Sequence, residues 1–86
     1  MSYLDMLRNI AKMHASSQTA SAMFNHFANR KRGRKVESVR RLVQVCGPGT
    51  SRSAVIAVLR QLDSHGFGRF IVGRHEHQSR FEWAEV

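Results

Sequence analysis

The stretch from Ser51 to Trp83, SRSAVIAVLRQLDSHGFGRFIVGRHEHQSRFEW, decides the fold. In its first half the apolar residues recur at helical spacing and form one face: Val55, Val58, Leu59 and Leu62. Ser51 is a suitable N-cap. Gly66 can take the left-handed conformation that ends a helix, which would bring Phe67 back against Leu62. We therefore predict a helix over residues 51–65.

The second half of this stretch changes to a period of two. Two alternating runs, residues 69–72 and 80–83, flank the polar loop 74–79. This pattern predicts a β-hairpin over residues 69–83. Aromatic residues that alternate in a strand are usually part of the core, so we expect Phe81 and Trp83 to point inward and anchor the hairpin.

A shorter set of elements precedes residue 51. Lys35-Val36-Glu37 has the length of a short strand, and Ser38 is placed to cap a helix. The apolar face of that helix would be formed by Val39, Leu42, Val43 and Cys46. The sequence Gly47-Pro48-Gly49-Thr50 then predicts a turn before the second helix.

This order of elements resembles the winged helix-turn-helix family. The residues that carry the resemblance are the pattern cap-V-x-x-L-V-x-x-C-G, the helix opened by S-R-S and closed by L-x-x-x-G-F, and the basic hairpin after it. The resemblance implies that helix 51–65 enters the DNA major groove and that the hairpin is a wing on the adjacent minor groove. The connection over residues 47–50 is longer than is usual in the family. The predicted fold class is mainly α with a small β-hairpin (α+β).

Two amphipathic helices are predicted before this unit. Residues 2–14, capped by Ser2, carry the stripe Tyr3, Met6, Leu7, Ile10 and Met13. This helix lies outside the minimal winged-helix core, so either it forms a dimer contact or it packs on its own domain. After the linker 15–18, a helix capped by Ser17 or Thr19 carries the stripe Ala20, Met23, Phe24, Phe27 and Ala28. His26 is expected at the surface. We divide the chain into an N-terminal helix, 1–15, and a winged-helix domain, 16–86.

Charge and composition narrow the function. The 86 residues carry a net charge of +8, which favours polyanionic partners. The single cysteine, Cys46, excludes an internal disulfide, and no apolar run is long enough to span a membrane. The acidic residues are scattered and no catalytic constellation is visible. We therefore expect that the protein is not an enzyme and binds no cofactor. We expect it to be a cytoplasmic protein of a prokaryote, phage or plasmid.

The candidate DNA-binding residues fall into three groups. Phosphate contacts are predicted for the basic run and the helix after it: Arg30, Lys31, Arg32, Arg34, Lys35, Arg40 and Arg41. The outer face of helix 51–65 would present Ser51, Arg52, Ser53, Ile56, Ala57, Arg60 and Gln61. The wing would contribute Arg74, His75, His77, Gln78 and Arg80. Arg52 is the leading candidate for a base contact, because a guanidinium pairs with guanine O6 and N7.

Two features leave alternatives open. Ile56 and Ala57 are apolar where base contacts are expected, so they would touch either thymine methyl groups or another protein. His75 and His77 are two potential zinc ligands, but two ligands do not make a site, and no metal is predicted.

The sequence thus predicts a sequence-specific, double-stranded DNA-binding transcription regulator that forms a homodimer. The alternatives are a non-specific architectural protein that binds DNA or RNA, and a winged-helix module for protein interaction.

Overall fold

The computed structural model describes residues 3–28, 36–74 and 79–84. These residues form, in chain order, α1 (Tyr3–His14), α2 (Ser17–Ala28), β1 (Val36–Ser38), α3 (Val39–Cys46), α4 (Arg52–Ser64), β2 (Gly68–Ile71) and β3 (Arg80–Trp83). The strands make one antiparallel sheet in the order β1-β3-β2. The predicted α+β class, mainly helical with a small sheet, is therefore confirmed. None of the described helices is long and apolar enough to cross a membrane.

Helix α1 packs on its own chain. Leu7, Ile10 and Ala11 are buried in the same core as residues of α2, α3, α4 and β3, and α1 lies against α2 and α4. The apolar stripe is thus used within the chain, which is one of the two alternatives that the sequence left open. The stripe ends earlier than predicted, because Met13 is 75% exposed.

Helix α2 begins at Ser17, and its N-cap lies one residue before the earlier of the two predicted caps. The Ser16 hydroxyl accepts a hydrogen bond from the Thr19 backbone N–H at 3.3 Å, and the Ser16 carbonyl accepts one from Ala20 at 2.8 Å. Ser16 is therefore the N-cap, and the prediction of Ser17 or Thr19 is wrong. Thr19 is instead buried inside the first turn. The predicted apolar stripe of α2 also extends one residue too far, since Ala28 is exposed.

The ends of α3 and α4 agree with the sequence. Ser38 caps α3 by accepting from Arg41 N–H at 3.0 Å, and Ser51 caps α4 by accepting from Ala54 N–H at 3.3 Å. Gly66, with φ of 83°, ends α4 in a Schellman motif. The two bonds of that motif run from Phe67 N–H to Leu62 O and from Gly66 N–H to Asp63 O, both at 3.0 Å.

The central strand of the sheet, β3, contributes two aromatic side chains to the core. Phe81 and Trp83 are buried, as predicted. The Trp83 ring meets the Phe27 and Phe81 rings edge to face, at centroid distances of 5.2 and 5.0 Å. Such pairs contribute about 0.5–1.5 kcal/mol beyond their buried area. These contacts join α2 to the sheet.

His26 is not at the surface, contrary to the prediction. Its Nε2 lies 3.0 Å from Glu37 Oε2, and the exposed fractions of the two side chains are 14% and 2%. The pair connects the end of α2 to β1. Glu37 Oε1 is buried and has no hydrogen-bond partner among the residues that the structure describes.

Cys46 should be a poorly reactive thiol. Its Sγ lies 3.9 Å from the Thr19 carbonyl, and burial raises the pKa of the thiol above its ordinary value. The folded state therefore holds the thiol proton more tightly than the unfolded state does. The resulting stability is complete below about pH 8.5, the pKa of a free thiol, and is lost as the pH rises through the folded-state pKa.

We expect alkylation of Cys46 by iodoacetamide at pH 8 to be slower in the native protein than in urea. The loss of stability above about pH 8.5 should also be smaller in Cys46→Ala than in the unaltered protein. Equal alkylation rates in the native and unfolded chains would contradict this prediction.

Candidate nucleic-acid interface

Helix α4 presents a narrower outer face than predicted. Its buried face is formed by Val55, Val58, Leu59 and Leu62, as expected. Ser53 and Arg60 are exposed, whereas four other residues predicted on the outer face are half-buried: Arg52, Ile56, Ala57 and Gln61. The reason is that α1, α3 and β2 all pack against α4 and leave only a strip of it open.

An open cleft of about 320 Å³ runs between α4 and the hairpin formed by β2 and β3. We call it the α4–hairpin cleft. It is lined by Arg52, Ile56, Arg60, Phe70, Val72, Gly73, Arg74 and Ser79. Four of these residues, Arg52, Ile56, Arg60 and Arg74, were predicted as candidates. The cleft brings the first turns of α4 and the start of the hairpin loop into one surface.

One hydrogen bond and a ring contact hold the hairpin beside the helix, and a second hydrogen bond lies within the hairpin. The Asp63 carboxylate accepts from the Phe70 backbone N–H at 2.9 Å. The Ser79 hydroxyl accepts from the Gly73 N–H at 3.3 Å. The Arg60 guanidinium lies over the Phe70 ring, 5.1 Å from its centroid. This contact stabilises one position of the arginine while its charge stays at the cleft.

The α4–hairpin cleft is positively charged. Three of its lining residues are arginines, and no carboxylate is among the lining residues in the described part of the chain. Arg80, a further candidate, lies nearby on β3, but its Nε is 3.4 Å from Glu82 Oε2, so its charge is partly compensated. The positive charge of this surface therefore comes mainly from Arg52, Arg60 and Arg74.

The other candidates lie apart from the cleft or outside the described residues. Arg40 and Arg41 are exposed on α3, and Arg41 lines a separate surface beside β1. The Ser51 hydroxyl is the α4 cap. Eight predicted residues fall outside the described ranges: Arg30, Lys31, Arg32, Arg34, Lys35, His75, His77 and Gln78. Within those ranges, no three His, Cys, Asp or Glu residues are grouped to hold a metal ion.

On the hairpin side of the cleft, the sequence predicted Arg74 but not the apolar residues. Phe70 and Val72 line it, and Val72 is 65% exposed. The sequence contains a signal for the exposure of Val72. This residue directly follows the last residue of β2 and precedes a glycine, which is where a strand leaves the core.

The chain matches no protein-family model, and neither the curated proteins nor the solved structures contain a significant match to it.

Proposed function

We propose that this protein is a winged-helix regulator of transcription that binds double-stranded DNA with α4 and the hairpin. The order of elements supports this assignment. A strand and a capped helix precede α4, a hairpin follows it directly, and the strand order is β1-β3-β2. The resemblance in sequence implies the same succession of strand, helix, turn, helix and hairpin.

The observation that carries the proposal is the group of arginines at the α4–hairpin cleft. Arg52, Arg60 and Arg74 come from the helix and the hairpin and line one open surface with no acidic lining residue among those described. A guanidinium presents planar N–H groups that match phosphate oxygens, and it keeps its charge at any physiological pH. The net charge of +8 adds a field that attracts a polyanion.

The N-terminal part of α4 that borders the cleft is suited to reading bases. Recognition helices contact base edges with residues near their N-terminus. Arg52 and Ser53 occupy the first turn of α4. Ile56 lies one turn later at the cleft and presents an apolar surface that suits a thymine methyl group. We propose Arg52 as the principal base contact and Arg60 and Arg74 as phosphate contacts.

We further propose a homodimer in the cytoplasm that reads two half-sites about one helical turn apart. Leu7, Ile10 and Ala11 of α1 are buried within the chain, so the dimer interface would use other residues. The measurement for this point is the mass in solution by light scattering, together with the symmetry of the selected DNA sequence.

Arg52→Ala tests the central assignment. We expect it to weaken binding to the preferred duplex by about 1–3 kcal/mol and to relax the preference at one base pair. The preferred duplex would come from selection and sequencing of random DNA at physiological salt. Arg69→Ala is the matched control, because Arg69 is an exposed arginine of β2 outside the cleft.

Three outcomes would revise the proposal. Unchanged affinity and preference in Arg52→Ala would remove α4 from the recognition role. Binding without an enriched sequence would favour the architectural alternative. An absence of binding would favour a protein-interaction module, for which the exposed Val72 and the apolar side of Ile56 would be the contact surface.

A further inference from the structure

A second basic cleft lies between α1 and α2, on a part of the chain that the proposed function does not use. Its volume is about 210 Å³, and we call it the α1–α2 cleft. The lining residues are Arg8, Lys12, Ala20, Ser21, Phe24 and Asn25. Two cations on α1, one turn apart, thus face a hydroxyl and a carboxamide on α2 that are also one turn apart.

Arg8 is held at this cleft by an aromatic ring. Its guanidinium carbon is 4.6 Å from the centroid of the Phe24 ring. Phe24 is itself half-buried and packs against the core, so it gives the arginine a fixed support. A contact with a ring restricts the arginine side chain and leaves its positive charge in place, whereas a contact with a carboxylate would neutralise that charge. The cost of ordering Arg8 on binding is correspondingly smaller.

The surroundings of the α1–α2 cleft contain few acidic groups. No acidic residue is among its described lining residues, α2 contains no acidic residue, and α1 contains Asp5 alone. Arg8 and Lys12 stay on the surface because the buried face of α1 is formed by Leu7, Ile10 and Ala11. Cations, a hydroxyl and an amide around an open cleft are the groups that contact phosphates in DNA complexes.

We propose that the α1–α2 cleft is a second contact for the phosphate backbone of DNA. This inference rests on the proposed function and extends it, because it gives the protein a phosphate contact separate from the α4–hairpin cleft. The contact is to phosphate and carries no sequence information of its own. It would add affinity for every duplex, either on the same DNA molecule or on a second one.

The test compares Arg8→Gln and Lys12→Gln with Arg69→Gln, which removes one charge from an exposed position outside both clefts. The first measurement is the salt dependence of affinity for a short single duplex. If the cleft binds that same duplex, the slope of log K against log salt should become flatter by about 0.9 for each phosphate that the variant no longer neutralises. Arg69→Gln should leave the slope unchanged.

The second measurement is the capture of a labelled duplex by protein already bound to an immobilised duplex. If the cleft binds a second DNA molecule, Arg8→Gln and Lys12→Gln should abolish this capture. The slope of log K against log salt for a single duplex should then be the same as in the unaltered protein. Arg8→Lys loses the planar group on Phe24 but keeps the positive charge. Because the contact depends mainly on charge, this variant should retain most of the salt slope and most of the capture of the unaltered protein. A melting curve of each variant confirms that it is folded.

The outcomes separate this inference from the proposed function. If the unaltered protein binds duplex DNA and both cleft variants behave like Arg69→Gln in the two measurements, the second contact is refuted and the proposed function stands. If the unaltered protein does not bind duplex DNA, both fall together.

Discussion

Gly68→Ala is expected to lower the free energy of unfolding by about 3 kcal/mol, at the upper end of the usual cost of overpacking. A Cβ added at Gly68 would overlap the backbone oxygen of Glu82 and would lie 2.6 and 2.7 Å from two atoms of the Phe81 ring. Neither neighbour can move away easily, because Glu82 pairs with both outer strands and Phe81 is fully buried. The added methyl group would therefore push β2 away from β3.

Chemical denaturation would measure this effect, and Gly66→Ala is its control. At Gly66 a Cβ would meet nothing within 4 Å, but the φ of 83° is unfavourable for alanine. The expected cost there is about 1–2 kcal/mol, from the backbone alone. Gly68→Ala should be the more damaging of the two. If it destabilises the protein less than Gly66→Ala does, the close packing of β2 on Phe81 is wrong.

His26→Ala is expected to cost about 3 kcal/mol, because it leaves the Glu37 carboxylate buried without its partner. The bond from His26 Nε2 to Glu37 Oε2 is 3.0 Å long, and Oε1 already has no partner among the described residues. The side chain of His26 retains some exposure, so water entering the space left by the ring would limit the loss. We therefore place the effect at the lower end of the range for buried pairs.

A double-mutant cycle isolates the contribution of this pair. Glu37→Gln keeps the shape of the side chain and removes its charge, so His26→Ala should cost clearly less when it is made in the Glu37→Gln protein. The free energies of unfolding of the four proteins give the coupling, which we expect to exceed about 1 kcal/mol. Additive losses would mean that the two side chains do not depend on each other.

The sequence predicted the elements that have local signals. The α4 boundaries follow from Ser51 as cap, from Gly66 as the left-handed residue and from the apolar spacing between them, and all three signals act within a few residues. The inward positions of Phe81 and Trp83 follow from strand alternation in the same way. The α+β class then follows from the order of these elements.

The features that the sequence did not reveal depend on contacts between distant residues. His26 and Glu37 belong to different elements, so their pairing cannot be read from helical periodicity. The half-burial of Arg52 and Ile56 depends on how closely the hairpin packs beside α4. For the candidate site, the sequence identified the arginines of α4 and Arg74 of the hairpin, but not Phe70 and Val72, which line the same cleft.

The choice of cap for α2 is a smaller case of the same kind. Ser16, Ser17 and Thr19 are all acceptable caps by residue type. The hydrogen bonds from the Thr19 and Ala20 N–H groups to Ser16 decide among them, and Thr19 is instead buried by the elements that pack around it.

The hydrogen bond from Phe70 to Asp63 also affects how the protein behaves at high concentration. In the described part of the chain, β2 pairs with β3 on one side, and the Phe70 N–H on the other side is bonded to a helix side chain. At an open strand edge, free N–H groups can form hydrogen bonds with a strand from another molecule, which extends the sheet. The Asp63 carboxylate occupies this donor and brings a negative charge to the edge. We therefore expect the bond that sets the helix beside the hairpin also to oppose the addition of a strand from another molecule to β2.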